Sequence, residues 1–183
     1  MNWLAEIDQL SNAFLLKFKN LTEAELNWKP NPNAWSIAQH IEHLIVINQT
    51  YFPVLVALKA GTYQLPCTAK FGFLVRFFGK VVLNAVKPGQ KKKTKTFPIW
   101  EPSTSKIAGD ILDRFKVHQE ELKAQIAASE DLLKKGAIIS SPASSTIVYR
   151  LETAFDIIVT HEYRHLEHAD GVLKQLQQQN KVN

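Results

Sequence analysis

The chain has little cysteine and no sign of a secretory leader. Cys67 is its one cysteine among 183 residues, which excludes an intramolecular disulfide and a cysteine-based metal site. Its first residues lack the charged leader and apolar core of a secretory signal. The very apolar segment 71–86 is interrupted by Arg76 and Lys80 and is too short to span a bilayer. We therefore expect a cytoplasmic protein and disfavour a membrane role.

What is present is a globular composition with a modest basic excess. Hydrophobic residues make up 45% and charged residues 21%, and the length suits a single domain over 1–183. Much of the net charge of +5 comes from "KPGQKKKTK" (87–95). We interpret this segment as a solvated loop. Nucleic-acid binding is disfavoured because no aromatic residues interleave with the lysines.

Apolar residues recur at helical spacing along most of the chain. Strand-like alternation, internal repeats and an interdomain linker are all lacking, so the connection 134–145, with Gly136 and Pro142, is expected to be irregular. A capping box at Ser36–Gln39 predicts the start of the second long helix, and Gly61 its end. The four long helices are expected at about 3–19, 37–60, 107–133 and 147–178. The pattern predicts an all-α four-helix bundle with an additional inserted helix around 71–86.

Five of the six histidines lie on two of these predicted helices. In the last helix, His161, His165 and His168 fall within roughly 60° of one another and continue an apolar stripe. In the second helix, His40 and His43 are one turn apart. Histidines three or four residues apart on a helix can chelate one metal ion, because their nitrogens lie one turn apart. The two sets can meet inside a bundle.

Two other interpretations of the histidines were weighed. "HEYRH" (161–165) satisfies the H-E-x-x-H pattern of zinc proteases. A protease is disfavoured because the extended pattern requires glycine where this chain has His168, and no sheet is predicted to bind a peptide. His118 lies between Phe115 and Leu122 on the inward stripe of its helix, where we expect a hydrogen-bonded core histidine.

Taken together, "LNWKPNPNAWSIAQHIEHL" (26–44), the apolar inserted helix and the C-terminal "HEYRH" resemble the DinB-like superfamily over nearly the whole chain. That superfamily includes DNA-damage-inducible proteins, bacillithiol S-transferases and mycothiol-dependent maleylpyruvate isomerases. The resemblance implies a four-helix bundle in which three histidines bind one divalent metal, commonly zinc or nickel. It assigns the ligands to His43, His161 and His165, with His40 and His168 as extra histidines that could replace or support them.

The resemblance also implies a class of chemistry. In such proteins the metal activates a low-molecular-weight thiol, as in an S-transferase, or water, as in a hydrolase, for attack on a small molecule. Glu162 is a candidate catalytic group, and Glu162 and Glu42 are candidates for orienting imidazoles. The alternative is a non-catalytic, oligomeric metal-binding helical protein linked to stress. The apolar segment 71–86 favours a homodimer.

Overall fold

The computed structural model of the chain describes residues 1–89 and 96–182, and eight α-helices and one hairpin account for most of them. The helices are α1 (Trp3–Phe18), α2 (Glu23–Asn27), α3 (Ile37–Gln49), α4 (Phe52–Lys59), α5 (Gly72–Ala85), α6 (Ile111–Ala127), α7 (Glu130–Lys134) and α8 (Leu151–Val182). The strands are β1 (Ile138–Ser141) and β2 (Ser144–Arg150). Two short 3₁₀ turns occupy Cys67–Lys70 and Pro98–Trp100.

Helices α1, α3, α6 and α8 form the predicted four-helix bundle. Helices α1 and α3 each contact both α6 and α8. Their inward stripes are fully buried; in α1 this stripe is Ile7, Leu10, Phe14 and Phe18. Phe14 packs on Phe115 of α6 with ring centroids 4.8 Å apart. Burying such side chains contributes about 1.5–3 kcal/mol each, so the apolar stripes hold the four helices together. The prediction of an all-helical bundle is confirmed.

Both middle helices are shorter than predicted. The expected helix 37–60 is divided at Thr50 and Tyr51, whose backbone N–H groups bond three residues back to Ile47 and Asn48. Pro53 has no N–H to continue the α-helical ladder, so α4 starts anew. Likewise, the expected helix 107–133 is divided into α6 and α7. The predicted end at Gly61 is confirmed by its left-handed backbone, φ 69°.

The connection predicted to be irregular contains an antiparallel hairpin. Strands β1 and β2 pair Ile139 with Tyr149 and Ser140 with Val148, and these two β2 residues are buried. The β-branched residues Thr146, Ile147 and Val148 have high strand propensity. Ile147 also fits the apolar stripe of a helix, and for this reason the sequence predicted a helix there. The last helix therefore starts at Leu151 rather than near 147, and Leu151 N–H donates to Ala137.

The inserted helix is confirmed as α5, which packs on β2 and α8. Residues 90–95 of the basic segment lie outside the described part of the chain. By length and composition alone, the stretch Ile37–Lys59 could cross a membrane. Its inward side chains belong to the bundle core, and a single such stretch is weak evidence of a membrane span.

Candidate metal centre

The capping box predicted for α3 forms and fixes where its two histidines point. Ser36 Oγ accepts from Gln39 N–H at 3.2 Å, and Gln39 Oε1 accepts from Ser36 N–H at 3.1 Å. A helix that begins at this point places His40 and His43 in its first two turns, on the side that contacts α8. Both are buried, with His43 only 2% exposed.

His43 meets His161 and His165 of α8 inside the bundle. One nitrogen from each ring lies within 4.8 Å of the other two. His161 Nε2 and His165 Nε2 are 3.0 Å apart. A tetrahedral ion with metal–nitrogen bonds of about 2.1 Å has its ligand nitrogens roughly 3.4 Å apart. The three nitrogens are close enough together for one ion to reach all of them after small movements, and the structure brings together the three residues singled out in the sequence.

The proton on His43 is fixed by a backbone group. His43 Nδ1 is 2.6 Å from the carbonyl oxygen of Trp100. A carbonyl only accepts, so Nδ1 carries the hydrogen and Nε2 is left with its lone pair. A backbone or carboxylate acceptor on the far nitrogen is the usual partner of a metal-binding histidine.

The loop that carries Trp100 is tied to α3 by side chains. Gln39 donates to the Ser103 carbonyl at 2.8 Å. Glu42 accepts from the Ser103 N–H at 2.7 Å and from its hydroxyl at 3.2 Å. Glu42 therefore does not orient an imidazole directly, as one of our interpretations had it. It holds the loop whose carbonyl orients His43.

A second group of histidines shares His165. One nitrogen each from His40, His165 and His168 lie within 4.8 Å of one another. His40 Nδ1 and His165 Nδ1 are 2.9 Å apart. If His165 offers Nε2 to an ion, its Nδ1 carries the hydrogen and donates it to His40. In that arrangement His40 orients His165 as the Trp100 carbonyl orients His43.

All five clustered histidines are held neutral by burial. Burial lowers the pKa of His40 to about 3, with smaller contributions from neighbouring histidine charges. It lowers the pKa of His161 and His165 well below 6.5, and the nearby imidazoles add to the effect. Burial also lowers the pKa of His43 and His168. Neutral imidazole is the form that binds metals, so the lone pairs are available at neutral pH.

Trp35 covers the cluster from the loop that precedes α3. Its ring centroid lies 5.0 Å from that of His43, 5.4 Å from His40 and 6.0 Å from His165. An apolar wall on one side of the rings lowers the local dielectric. His161 is partly exposed on the α8 side of the cluster.

Glu162 is fully buried but faces another cluster. Its Oε1 accepts from the Asn48 amide and its Oε2 from the Gln119 amide, both at 2.7 Å. Burial raises the pKa of this carboxyl to about 7, although the two amide hydrogen bonds oppose the shift. Glu162 is turned about 100° around α8 from His161. Its described hydrogen bonds go to amides, none to an imidazole.

His118 is buried, as predicted, but not hydrogen-bonded to other groups in the described residues. Its ring stacks on Phe52 with centroids 5.7 Å apart. Neither ring nitrogen has a hydrogen-bond partner in residues 1–89 and 96–182. Burial lowers its pKa to about 4. The expectation of a satisfied core histidine was therefore wrong on this point.

The described fold and site define a class: a helical bundle in which α3 and α8 bring three imidazoles close together. The family comparison agrees, since the model of the DinB superfamily matches residues 6–169. The chain belongs to the DinB superfamily. Comparison with curated proteins and with solved structures gives no match.

Proposed function

We propose that this protein binds one divalent metal ion through His43, His161 and His165 and uses it in a reaction on a small molecule. The observation that carries the proposal is the 3.0 Å approach of His161 Nε2 to His165 Nε2 beside His43, whose own Nε2 is kept free by the Trp100 carbonyl. Without a cation, the N–H of one of these two rings donates to the bare nitrogen of the other. A shared ion would take the place of that hydrogen and would bring the Nε2 of His43 into the same coordination sphere.

The ligand chemistry narrows the choice of ion. Three imidazoles and no thiolate suit a borderline cation such as zinc or nickel rather than calcium or magnesium. Three nitrogen ligands leave at least one coordination position for a further group. An ion so held lowers the pKa of a coordinated water or thiol and supplies a nucleophile near neutral pH.

This chain's own residues have three roles in the proposed reaction. The Trp100 carbonyl and His40 hold the hydrogens of His43 and His165 on the nitrogens that face away from the ion. Trp35 keeps one side of the cluster apolar. The partly exposed edge at His161 admits the substrate. We infer a thiol S-transfer or a hydrolysis; in either case the electrophile is a small molecule.

A second candidate is a metal-binding protein without turnover. It is favoured by His40 and His168, whose rings lie 5.1 and 5.7 Å from the ring of His165. If one of them completed the coordination sphere, no position would be left for substrate. Such a protein would use the ion for stability, since binding to the native state adds RT ln(1 + [L]/Kd).

One experiment separates the two candidates. The chelator-treated protein is titrated with zinc and with nickel, and the nickel form is then exposed to azide or to a small thiol while its absorption spectrum is recorded. The proposed enzyme binds about one ion per chain, and the added ligand changes the spectrum because a position is open. An unchanged spectrum at full occupancy assigns the closed site. Failure to bind either ion refutes both candidates.

A further inference from the structure

The charge of the chain is unevenly distributed. All 17 acidic residues lie outside the segment 43–100, since Glu42 is followed by no acidic residue until Glu101. The part of this segment that the structure describes up to residue 89 contains five basic residues: Lys59, Lys70, Arg76, Lys80 and Lys87. This region is therefore uniformly positive, although the chain as a whole is only moderately basic.

Helix α5 lies in this region and presents large apolar side chains to solvent. Phe73 is 62% exposed, Phe77 59% and Val81 48%, and they follow one another at four-residue spacing. At 100° per residue they cover roughly 80° of the outward face. Phe71, just before the helix, is also exposed. The centroids of the Phe71 and Phe73 rings are 6.2 Å apart.

Exposed cations border this apolar stripe. At 100° per residue, Arg76 and Lys80 lie within roughly 60° of Phe73 on the same outward face, and both are exposed. Lys70 and Lys87 flank the two ends of the helix and are also exposed. None of these four residues takes part in the ion pairs found among residues 1–89 and 96–182. The face combines apolar side chains with uncompensated positive charge.

Close packing on the other side holds this face outward. A Cβ on Gly79 would meet Thr153 at 3.1 Å and Tyr149 at 3.3 Å, so the helix approaches β2 and α8 as closely as a backbone can. Arg164 of α8 donates to the Ala85 carbonyl at the C-terminal end of α5, where a cation is favourable. The helix cannot rotate to bury its phenylalanines without losing both contacts.

The sequence alone disfavoured a membrane role, but the exposed side chains of α5 change that expectation. We propose that the outward face of α5 docks on the surface of an anionic lipid bilayer. Phenylalanine side chains insert at the boundary between headgroups and acyl chains, and basic residues beside them attract anionic lipid. The observation that selects this partner is the complementarity of charge: the face offers cations and aromatics and has no acidic residue near it in sequence.

The same observation disfavours the homodimer expected from segment 71–86. In a two-fold dimer the same patch lies on both sides of the interface. Arg76 and Lys80 of one copy would face a surface that contains cations and no carboxylates from residues 43–89. Burying such charges without partners is unfavourable. A nucleic-acid interface is less well matched, because such interfaces are polar and far more basic than this stripe of Phe and Val.

The test is flotation with lipid vesicles, using the whole metal-loaded chain. Vesicles of phosphatidylcholine alone are compared with vesicles that contain about 30% phosphatidylserine, at low and at high salt. We expect flotation only with phosphatidylserine, and its loss at high salt. Phe73→Asn/Phe77→Asn should weaken the partition coefficient by about tenfold or more, and Arg76→Glu/Lys80→Glu by about twentyfold or more.

Matched controls come from exposed residues elsewhere. Leu16→Asn/Val117→Asn removes two apolar side chains that are 73% and 70% exposed, on α1 and α6. Arg114→Glu/Lys116→Glu reverses two exposed cations of α6. Both controls should float as the unaltered chain does. Metal content and thermal unfolding of every variant are recorded, so that a change in folding is not mistaken for a loss of docking.

Three outcomes would overturn the proposal. The first is no flotation with phosphatidylserine vesicles at low salt, and the second is flotation that is equal in the α5 and control variants. The third is another occupant: a dimer in solution that Phe73→Asn/Phe77→Asn dissociates, or a salt-sensitive complex with single-stranded DNA that these variants abolish and that displaces the vesicles. Each readout is independent of metal-dependent turnover. Failure of the docking proposal is therefore distinguishable from failure of the proposed function.

Discussion

Two buried polar clusters lie where α3 meets α8, and they differ in the kind of polar group that surrounds each α8 side chain. The carboxylate cluster consists of Glu162 of α8, Asn48 of α3 and Gln119 of α6. The histidine cluster consists of His43, His161 and His165. His161 and Glu162 are neighbours in sequence, yet each belongs to a different cluster. A rotation of 100° around α8, the step between successive residues, separates a candidate metal ligand from a structural carboxylate.

In the carboxylate cluster, each oxygen of Glu162 accepts from an amide donor at 2.7 Å. The Oε1 of Gln119 has no hydrogen-bond partner in residues 1–89 and 96–182. In the histidine cluster, the contacts join ring nitrogens to one another, at 3.0 Å between His161 and His165. Burial keeps these rings neutral, so their lone pairs can be offered to a metal ion. The comparison teaches that burial alone does not mark a ligand site; what marks it is a set of neutral ring nitrogens gathered near one point.

The largest expected effect is loss of the metal ion when one histidine of the cluster is replaced. We expect His161→Ala to reduce the ion content from about one per chain to near zero. Loss of the hydrogen-bond partner of a ligand weakens metal affinity by roughly 10–100-fold, and loss of a ligand itself should weaken it more. His118→Ala should retain the ion. Mass spectrometry under native conditions measures both. Full occupancy in His161→Ala would show that the 3.0 Å approach of the two Nε2 atoms is not a metal site.

His118 provides the next largest effect, as a buried histidine that belongs to neither cluster. Its pKa falls from 6.5 in the unfolded chain to about 4 in the native protein because of burial. Between these two pH values the unfolded chain binds a proton that the native chain does not. The free energy of unfolding therefore falls as the pH drops from 6.5 to 4, by about 3 kcal/mol from this group.

His118→Leu should abolish that part of the acid sensitivity. Urea unfolding of the metal-free chain at pH 7 and pH 4 measures the loss of stability in each variant, and the loss should be smaller by about 3 kcal/mol in His118→Leu. At pH 7 the two should differ little, because leucine fills a similar volume and has no polar atoms to satisfy. An equal acid loss in both variants would mean that the ring finds a partner in the native protein.

Much of the fold was predictable from local signals. The capping box Ser36–Gln39 and the apolar stripes of α1 and α8 depend on residues three or four positions apart, which sequence displays directly. The pairing of His161 with His165 is of the same kind. The hairpin was missed because Ile147 continues a helical stripe as well as a strand, and only its pairing partner in β1 decides between them.

The partners of the site were not predictable in the same way. His43 is oriented by a main-chain carbonyl 57 residues away, and every residue has such a carbonyl, so no side-chain pattern points to Trp100. The sequence leaves Glu162 open between a catalytic and an orienting role. Its contact with Gln119 depends on how α6 packs against α8, which the period of either helix alone does not determine.

A change to the carboxylate cluster should have a moderate effect on stability and none on metal binding. Asn48→Ala removes the donor to Glu162 Oε1 and leaves a buried oxygen without a partner, at a cost of about 2 kcal/mol in the free energy of unfolding. Because the pKa of Glu162 is about 7, the loss should be greater at pH 8, where the carboxylate is charged, than at pH 6. Chemical denaturation at both pH values measures it. A change in metal affinity would show that the two clusters are not independent.

The smallest expected effect distinguishes a histidine that binds the ion from one that only orients a ligand. His40→Phe removes the acceptor 2.9 Å from His165 Nδ1 while filling the space beside Trp35. If His40 orients His165, the variant still binds one ion but about tenfold more weakly, as is typical for the partner of a ligand. His168→Phe serves as the control and should leave the affinity unchanged. Isothermal titration with zinc measures both. If either variant instead abolishes binding, the ion sits in the group His40, His165 and His168, and His165 offers the opposite nitrogen.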